Sequence, residues 1–292
     1  MDWLSGFANR TARDAALAPR TWYRLGGPAA YLVRPTDPTD LAELVRRAAD
    51  TRVEVRILGA GANVLVRDAG VDGIVILLDA PAFRTVRVDG TCVEAGAGVD
   101  LMPLVRACCA RGLSGLECMA GIPGTVGGAV RMNAGGPAGT FGDVVDTIDV
   151  LSRTGVRETW PAERIRFGYR TSAVGDCIVL SARLRLCQAH PETVRDRYDA
   201  AFAQKRRTQP LADKSAGCVF KNPPGASAGA LIDHAGLKGV AYGGASVSTR
   251  HANFIVADRG ATASDVLNLM DLIRDRVRRV HGTELETELD IW

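Results

Sequence analysis

Apolar positions along the chain recur with two periods, one near the helical value of about 3.6 residues and one near the strand value of about 2, and the changes between them mark the elements. The first twenty residues are polar and alanine-rich, and TWYRLGGPAAYLVRP follows as the first strand-like stretch, with a tight turn at Gly26 and Gly27. Asp37 and Pro38 open a helix, because Leu41, Leu44, Val45 and Ala48 then fall on one face at helical spacing. VEVRIL alternates apolar residues at 53, 55 and 57, enters the loop GAGAN and is followed by VLV, so helix, strand and loop form an α/β unit. TVRVDGTCVEAGAG predicts a hairpin about Asp89 and Gly90. Asp100 then caps a helix that carries Leu101, Leu104, Val105 and Cys108 and stops at Gly112.

Further on, VVDTIDVL and VRETW predict strands joined by RTG, PAERI a helical turn before FGYRTS, and IVLSARLRL a strand. PETVRDRYDAAFAQKRRTQP is polar and helix-forming, and its cluster Lys205, Arg206 and Arg207 runs into a linker at Pro210. A helix is expected around Leu231 and Ile232, two strands through ASVSTRHANFIVA, and a helix from Thr262 to His281. In that last helix Thr262 and Asp265 have capping-box spacing, and Val266, Met270, Ile273, Val277 and Val280 form the apolar stripe. The terminal ELETELDIW alternates as a strand, with Leu285, Leu289 and Ile291 on one face and Glu284, Glu286, Glu288 and Asp290 on the other.

Between these periodic segments lies GIPGTVGGAVRMNAGG, residues 121–136, in which Arg131 is the only charge. Glycines at 121, 124, 127 and 128, beside Pro123, Thr125 and Asn133, let the backbone bring its amides close to an anion, so a phosphate-bearing ligand is the expected guest. Gly59, Ala60, Gly61, Ala62 and Asn63 make a second such cradle. Its spacing is not GxGxxG, and an apolar β-branched run follows it where the dinucleotide fingerprint needs a helix, which disfavours a Rossmann domain.

With 292 residues the chain is long enough for two or three domains. A net charge of +3 from 36 basic and 33 acidic residues gives no argument for nucleic acid or an anionic membrane. No apolar run approaches the ~20 residues that span a bilayer, and the N-terminus lacks the apolar core of a signal peptide, so a cytoplasmic location is expected. Seven cysteines without a CxxC pair, and four histidines without ligand spacing, suggest neither a disulfide framework nor a metal.

Taken together, YRLGGPAAYLV, ILGAGANVLV, GIPGTVGGAVRMNAG, FGYRTS, SAGCVFKNP, STRHANFIV and ELETELDI resemble, in this order and over nearly the whole chain, the UDP-N-acetylenolpyruvoylglucosamine reductase family. The resemblance implies an α+β chain: a two-lobed FAD-binding domain of the vanillyl-alcohol-oxidase (PCMH) type, followed by a C-terminal α+β substrate-binding domain. It places an N-terminal segment over 1–20, the flavin domain over 21–205 (lobes about 21–80 and 81–205) and the substrate domain over 206–292. It further implies non-covalent FAD, NADPH as co-substrate, and reduction of UDP-N-acetylenolpyruvoylglucosamine to UDP-N-acetylmuramate for peptidoglycan. The oligomeric state stays open, a monomer being compatible.

By the same resemblance Gly59, Gly61, Ala62 and Asn63, with Gly121, Pro123, Gly124, Thr125, Gly127 and Gly128, hold the FAD pyrophosphate. Hydride addition to the enolpyruvyl group builds charge on its carboxylate, which calls for fixed donors and a placed acid. The family assigns Arg170 and Glu288 to the polarising group and position 218 to the acid. Lys221 and Asn222, beside position 218, are expected to meet substrate or NADPH phosphate, and Tyr169, Arg250, Asn253 and His251 are candidate substrate contacts, His251 reading equally as a hydrogen-bonded packing residue. Two departures stand out: Cys218 replaces the usual serine, and the stretch from FGYRTS to IVLSARLRL lacks the tyrosine-bearing insertion of the longer family form. A flavin-dependent alcohol or sugar oxidase of the same fold, and a flavin-binding module without turnover, are the competing readings.

Overall fold

Asp37, in extended conformation, accepts hydrogen bonds from the amides of Thr39 and Asp40, and Pro38 fills the first turn, so helix α1 (Pro38–Asp50) starts there. It buries Leu41, Leu44, Val45 and Ala48, the face its spacing predicts. The Asp40 amide, with that of Thr39, holds the Asp37 carboxyl below the ordinary aspartate range. Asp37→Ala is expected to cost about 1 kcal/mol of stability near neutral pH. Because the folded pKa is depressed, the contribution is present above the unfolded value of about 3.9 and is lost as pH falls through the folded one. Denaturant midpoints of the two proteins, measured at neutral and strongly acid pH, should therefore converge in acid.

The computed structural model describes residues 4–292, which form two compact units. One is built from the chain up to Arg13, Tyr31–Ala60 and Asp72–Ala203, the other from Asp14–Ala30, Gly61–Val71 and Gln204–Trp292. The first three residues of the expected N-terminal segment lie outside the described residues. The rest of it is more ordered than its composition suggests: Thr11–Ala16 is a strand, and Phe7 is buried beneath the guanidinium groups of Arg10 and Arg47. TWYRLGGPAAYLVRP forms a strand only over Pro28–Val33, its first half being turn and coil.

The first unit centres on a five-stranded antiparallel sheet in the order Arg157–Pro161, Val145–Leu151, Ile178–Arg185, Cys92–Gly96, Val86–Asp89. The predicted hairpin pairs Val86 with Ala95 and Asp89 with Cys92, and Gly90 turns it at φ +55°. Val55–Leu58 runs parallel to Val71–Leu77. Here the expected alternation at 53, 55 and 57 gives way to burial at Val55 and Leu58, because the Val53 amide donates to Ala48 and so belongs to the end of α1. Helix α2 (Leu101–Ala110) buries Leu101, Leu104, Val105 and Cys108 and ends before Gly112, at φ +70°. Helices α3 (Val126–Arg131), α4 (Ala162–Ile165) and α5 (Pro191–Thr208) follow, and Lys205, Arg206 and Arg207 occupy the last turn of α5, where positive charge suits the exposed carbonyls.

The second unit holds α6 (Ala228–His234), a three-stranded sheet in the order Ala241–Tyr242, Ala245–Val247, Ile255–Ala257, and α7 (Ala263–His281). The Thr262–Asp265 capping box forms, and Gly282 closes α7 at φ +66°. Val266, Met270, Ile273 and Val277 are buried with Leu269, whereas Val280 is 49% exposed, since the helix outruns the core by a turn. The terminal strand is shorter than its alternation suggests: Asp290–Ile291 pairs in parallel with Val64–Leu65, and Phe220 bridges Thr287. Among the described residues no helix is long and apolar enough to cross a membrane, and no three histidines, cysteines or carboxylates are grouped to hold a metal ion.

Candidate active site

The glycine-rich run enters α3 through a short extended link. Leu101 donates to the Gly124 carbonyl at 3.0 Å and Val126 to that of Val99 at 2.9 Å, so this run, and not the Asp100 carboxylate, satisfies the first amide of α2. Asp100 stands at the cap position, but its side chain accepts from Arg84. The expectation that residues 121–128 offer their amides together is narrowed. The amide of Gly121 points at the Met102 sulfur, that of Gly127 donates to Ala97, that of Gly128 to the Thr125 hydroxyl, and Pro123 has none. Gly127 also packs closely, as a Cβ there would stand 3.0 Å from that of Ala97. Gly124 differs: φ is +148°, and a Cβ would meet nothing within 4 Å.

The two cradles touch within the first unit. A Cβ on Gly59 would lie 2.7 Å from the Thr125 hydroxyl oxygen, so only glycine allows the approach. Among the described residues the amides of Gly59, Ala60, Gly124 and Thr125 make no hydrogen bond to protein. Open amides at a glycine with free space beside it fit a bound pyrophosphate. Gly61 serves another purpose: at φ +64° it lies against the Arg20 carbonyl and accepts from the Trp22 amide, beside half-buried Ala62. Asn63 is likewise occupied, its side chain donating to the Glu288 carbonyl at 3.0 Å and its own carbonyl accepting from Asp290.

Arg170 sits at the third position of a tight turn in which Gly168 and Thr171 exchange backbone hydrogen bonds at 3.0 and 3.4 Å. Its φ is +54°, a conformation that costs a side-chain-bearing residue about 1 kcal/mol or more and that clusters at functional positions. The guanidinium lies over the ring of Tyr169, which is half exposed. From the far end of the glycine-rich run, Asn133 donates through Nδ2 to the Gly168 carbonyl at 2.9 Å and accepts through Oδ1 from the Gly142 amide at 2.9 Å. Sequence alone signals this contact only by an asparagine after α3, where its φ of +42° suits that residue type.

In the second unit Cys218, half-buried, bridges Phe254, and the next residues are tightly held. Val219 donates to the Asn253 carbonyl, and both polar atoms of the Asn253 side chain clasp the backbone of Phe220, at 3.0 and 2.8 Å. Asn253 is 3% exposed, and both polar atoms of its side chain are spent in this clamp. Glu288 donates its amide to Val219, one place from Cys218. Of the four terminal acids Glu288 alone is half-buried, while exposed Glu284 and Glu286 pair with Arg278 and Lys221.

Other expected substrate contacts have local duties. Asn222 accepts from the Ala228 amide at the start of α6, and Arg250 donates to the carbonyls of Arg206 and Gln209 at the end of α5. His251 packs edge-on against Phe254, and its Nδ1 accepts from the Asn253 amide, which puts the ring proton on Nε2. Burial holds its pKa below the ordinary histidine range.

Residues 29–159 match the family described as FAD binding domain, and residues 209–292 the C-terminal domain of UDP-N-acetylenolpyruvoylglucosamine reductase. A relative bearing that enzyme's name in Nitrobacter winogradskyi is 40% identical over 281 residues, 96% of this chain and 92% of the relative. The crystal structure of UDP-N-acetylenolpyruvylglucosamine reductase from Thermus caldophilus superposes with a TM-score of 0.83 at 39% identity, over 97% of this chain and 98% of that one. The BBE-like 1 protein of Physcomitrella patens, 20% identical with a TM-score of 0.50 over 64% of this chain and 45% of its own, shares the fold alone. The two glycine loops that meet at Gly59 and Thr125, and the domain matches that follow each other along the chain, converge: this chain belongs to the UDP-N-acetylenolpyruvoylglucosamine reductase family.

Proposed function

We infer that this chain reduces UDP-N-acetylenolpyruvoylglucosamine to UDP-N-acetylmuramate with NADPH, a cytoplasmic step of peptidoglycan precursor synthesis. The observation that carries this reading is the family match at 40% identity over 96% of the chain. When bound, FAD supplies the chemistry of accepting a hydride from NADPH and giving it to the enolpyruvyl group. The amides of Gly59, Ala60, Gly124 and Thr125 hold its pyrophosphate. Arg170, preset by its turn, donates to the substrate carboxylate as charge builds there, with the half-buried Glu288 in the same task. Cys218 supplies the proton that completes the other carbon. Lys221 and Tyr169 are assigned to substrate contact, Lys221 exchanging its Glu286 partner for substrate phosphate.

Purified protein should show flavin absorbance, bleach with NADPH and recolour when UDP-N-acetylenolpyruvoylglucosamine is added without oxygen. A colourless protein that FAD cannot reconstitute, or a bleached one that the substrate leaves bleached, would refute the reading. The readings as an oxidase or a passive flavin module are not favoured, since the relatives are named reductases.

Gly124→Val is expected to lower FAD occupancy sharply, because the branched side chain fills the open space beside the free amides and cannot hold φ +148° without strain. Gly127→Val, by contrast, should lower thermal stability first, since it strikes Ala97. Flavin content and melting temperature of the two variants separate these outcomes; full occupancy in Gly124→Val would remove Gly124 from the cradle.

A further inference from the structure

Asn133 lies in the glycine-rich segment, yet its side chain faces away from any phosphate role. It is 5% exposed, and both of its polar atoms are consumed, one by the Gly142 amide and one by the Gly168 carbonyl, each at 2.9 Å. The partners fix the orientation of the side-chain amide, since Gly142 offers a donor and Gly168 an acceptor. There is no slack around it: a Cβ on Gly142 would stand 2.8 Å from Asn133 Oδ1 and 2.5 Å from the Phe167 ring.

The Gly168 carbonyl is the acceptor that closes the Arg170 turn. Within the turn it is reached by the Thr171 amide at 3.4 Å, a long bond, whereas the Asn133 side chain reaches it at 2.9 Å. The shorter bond therefore comes from outside the turn. Arg131, from the last turn of α3, holds the exit as well, its carbonyl accepting from Ser172 Oγ and its guanidinium donating to the Gly175 carbonyl, both at 2.9 Å. A left-handed, non-glycine Arg170 needs such external support, because its own conformation is unfavourable.

We propose that Asn133 is a positioning residue for the reduction step: its grip on the Gly168 carbonyl sets the turn that aims the Arg170 guanidinium. The proposal rests on the reading of Arg170 given above. Asn133→Asp keeps the acceptor for Gly142 and replaces the donor by an oxygen facing the Gly168 carbonyl. Asn133→Gly removes both bonds and is at ease with φ +42°. Either change should slow reoxidation of the bleached protein by UDP-N-acetylenolpyruvoylglucosamine about ten- to a hundredfold, the cost of a misplaced donor, while bleaching by NADPH keeps its rate.

In the Arg170→Ala background the same changes should add little, because a residue that acts through Arg170 has nothing left to aim. A readout independent of turnover is amide hydrogen exchange, which should quicken over residues 168–171 in both Asn133 variants with FAD content unchanged. Equal slowing by Asn133→Asp with and without Arg170, or unaltered exchange in the turn, would overturn the positioning role. Native-rate reoxidation by Asn133→Gly beside a slow Arg170→Ala would overturn it too while sparing the assignment of Arg170. Native-rate reoxidation by Arg170→Ala itself would overturn that assignment, and the positioning role with it.

Discussion

Replacing Cys218 by alanine is expected to slow reoxidation of the bleached protein by UDP-N-acetylenolpyruvoylglucosamine about a hundred- to ten-thousand-fold, the usual worth of a positioned acid, and to leave bleaching by NADPH near its native rate. Position matters as much as acidity. Cys218 precedes two residues whose backbones are held by Asn253 and pairs with the adjoining Phe254 in a short antiparallel bridge, so the thiol is presented by a clamped segment. Only a protonated thiol can donate, so it is the thiol form of Cys218 that the step requires. Cys218→Ser should stay active, since a hydroxyl in the same place can also donate a proton. Rapid-mixing rates for the three proteins decide the matter, and near-native turnover of the alanine variant would place the proton donor elsewhere.

Arg170→Lys and Glu288→Gln should each slow the same phase about a hundredfold or more and again spare bleaching by NADPH. Lysine keeps the charge but not the planar fork that meets a carboxylate with two parallel hydrogen bonds. Glutamine keeps the shape of Glu288 but takes away its carboxyl group, while the Glu288 backbone bond to Val219 persists. The charge these groups address arises only as substrate is reduced, which is why one phase should suffer. Equal slowing of both phases would mean that they build the site without stabilising its transition state.

Local order was legible where neighbours in sequence are partners in space. The Asp37 cap, the α1 face, the turn at Gly90 and the Thr262–Asp265 box each close within a few residues, so spacing and residue type suffice. Both glycine-rich cradles were visible for the same reason, but their division of labour was not. That Gly124 is open while Gly127 is spent on Ala97 depends on the turn after a strand some thirty residues upstream. Asn253 and Asn133 escaped altogether as clamps, since nothing nearby in sequence marks an asparagine whose partners are distant backbone groups. Val280 continued an apolar stripe past the point where the core behind it ended.

The second unit draws on three separated stretches of chain, and its seams join residues far apart: Asn63 bonds to Glu288 across 225 positions, and Asp68 to Ala263 across 195. Bringing such distant partners together carries a loop-closure cost before any contact rewards it. During synthesis the segment holding Gly61–Val71 leaves the ribosome early and must wait, its short Val64–Leu65 strand unpaired, until Asp290–Ile291 has emerged. An excised fragment over 206–292 would have no Val64–Leu65 to dock its last strand, and Tyr23, Leu25 and Leu65 would be missing from its core. The second unit of this family member is thus a late-finishing structure, begun near one end of the chain and completed at the other.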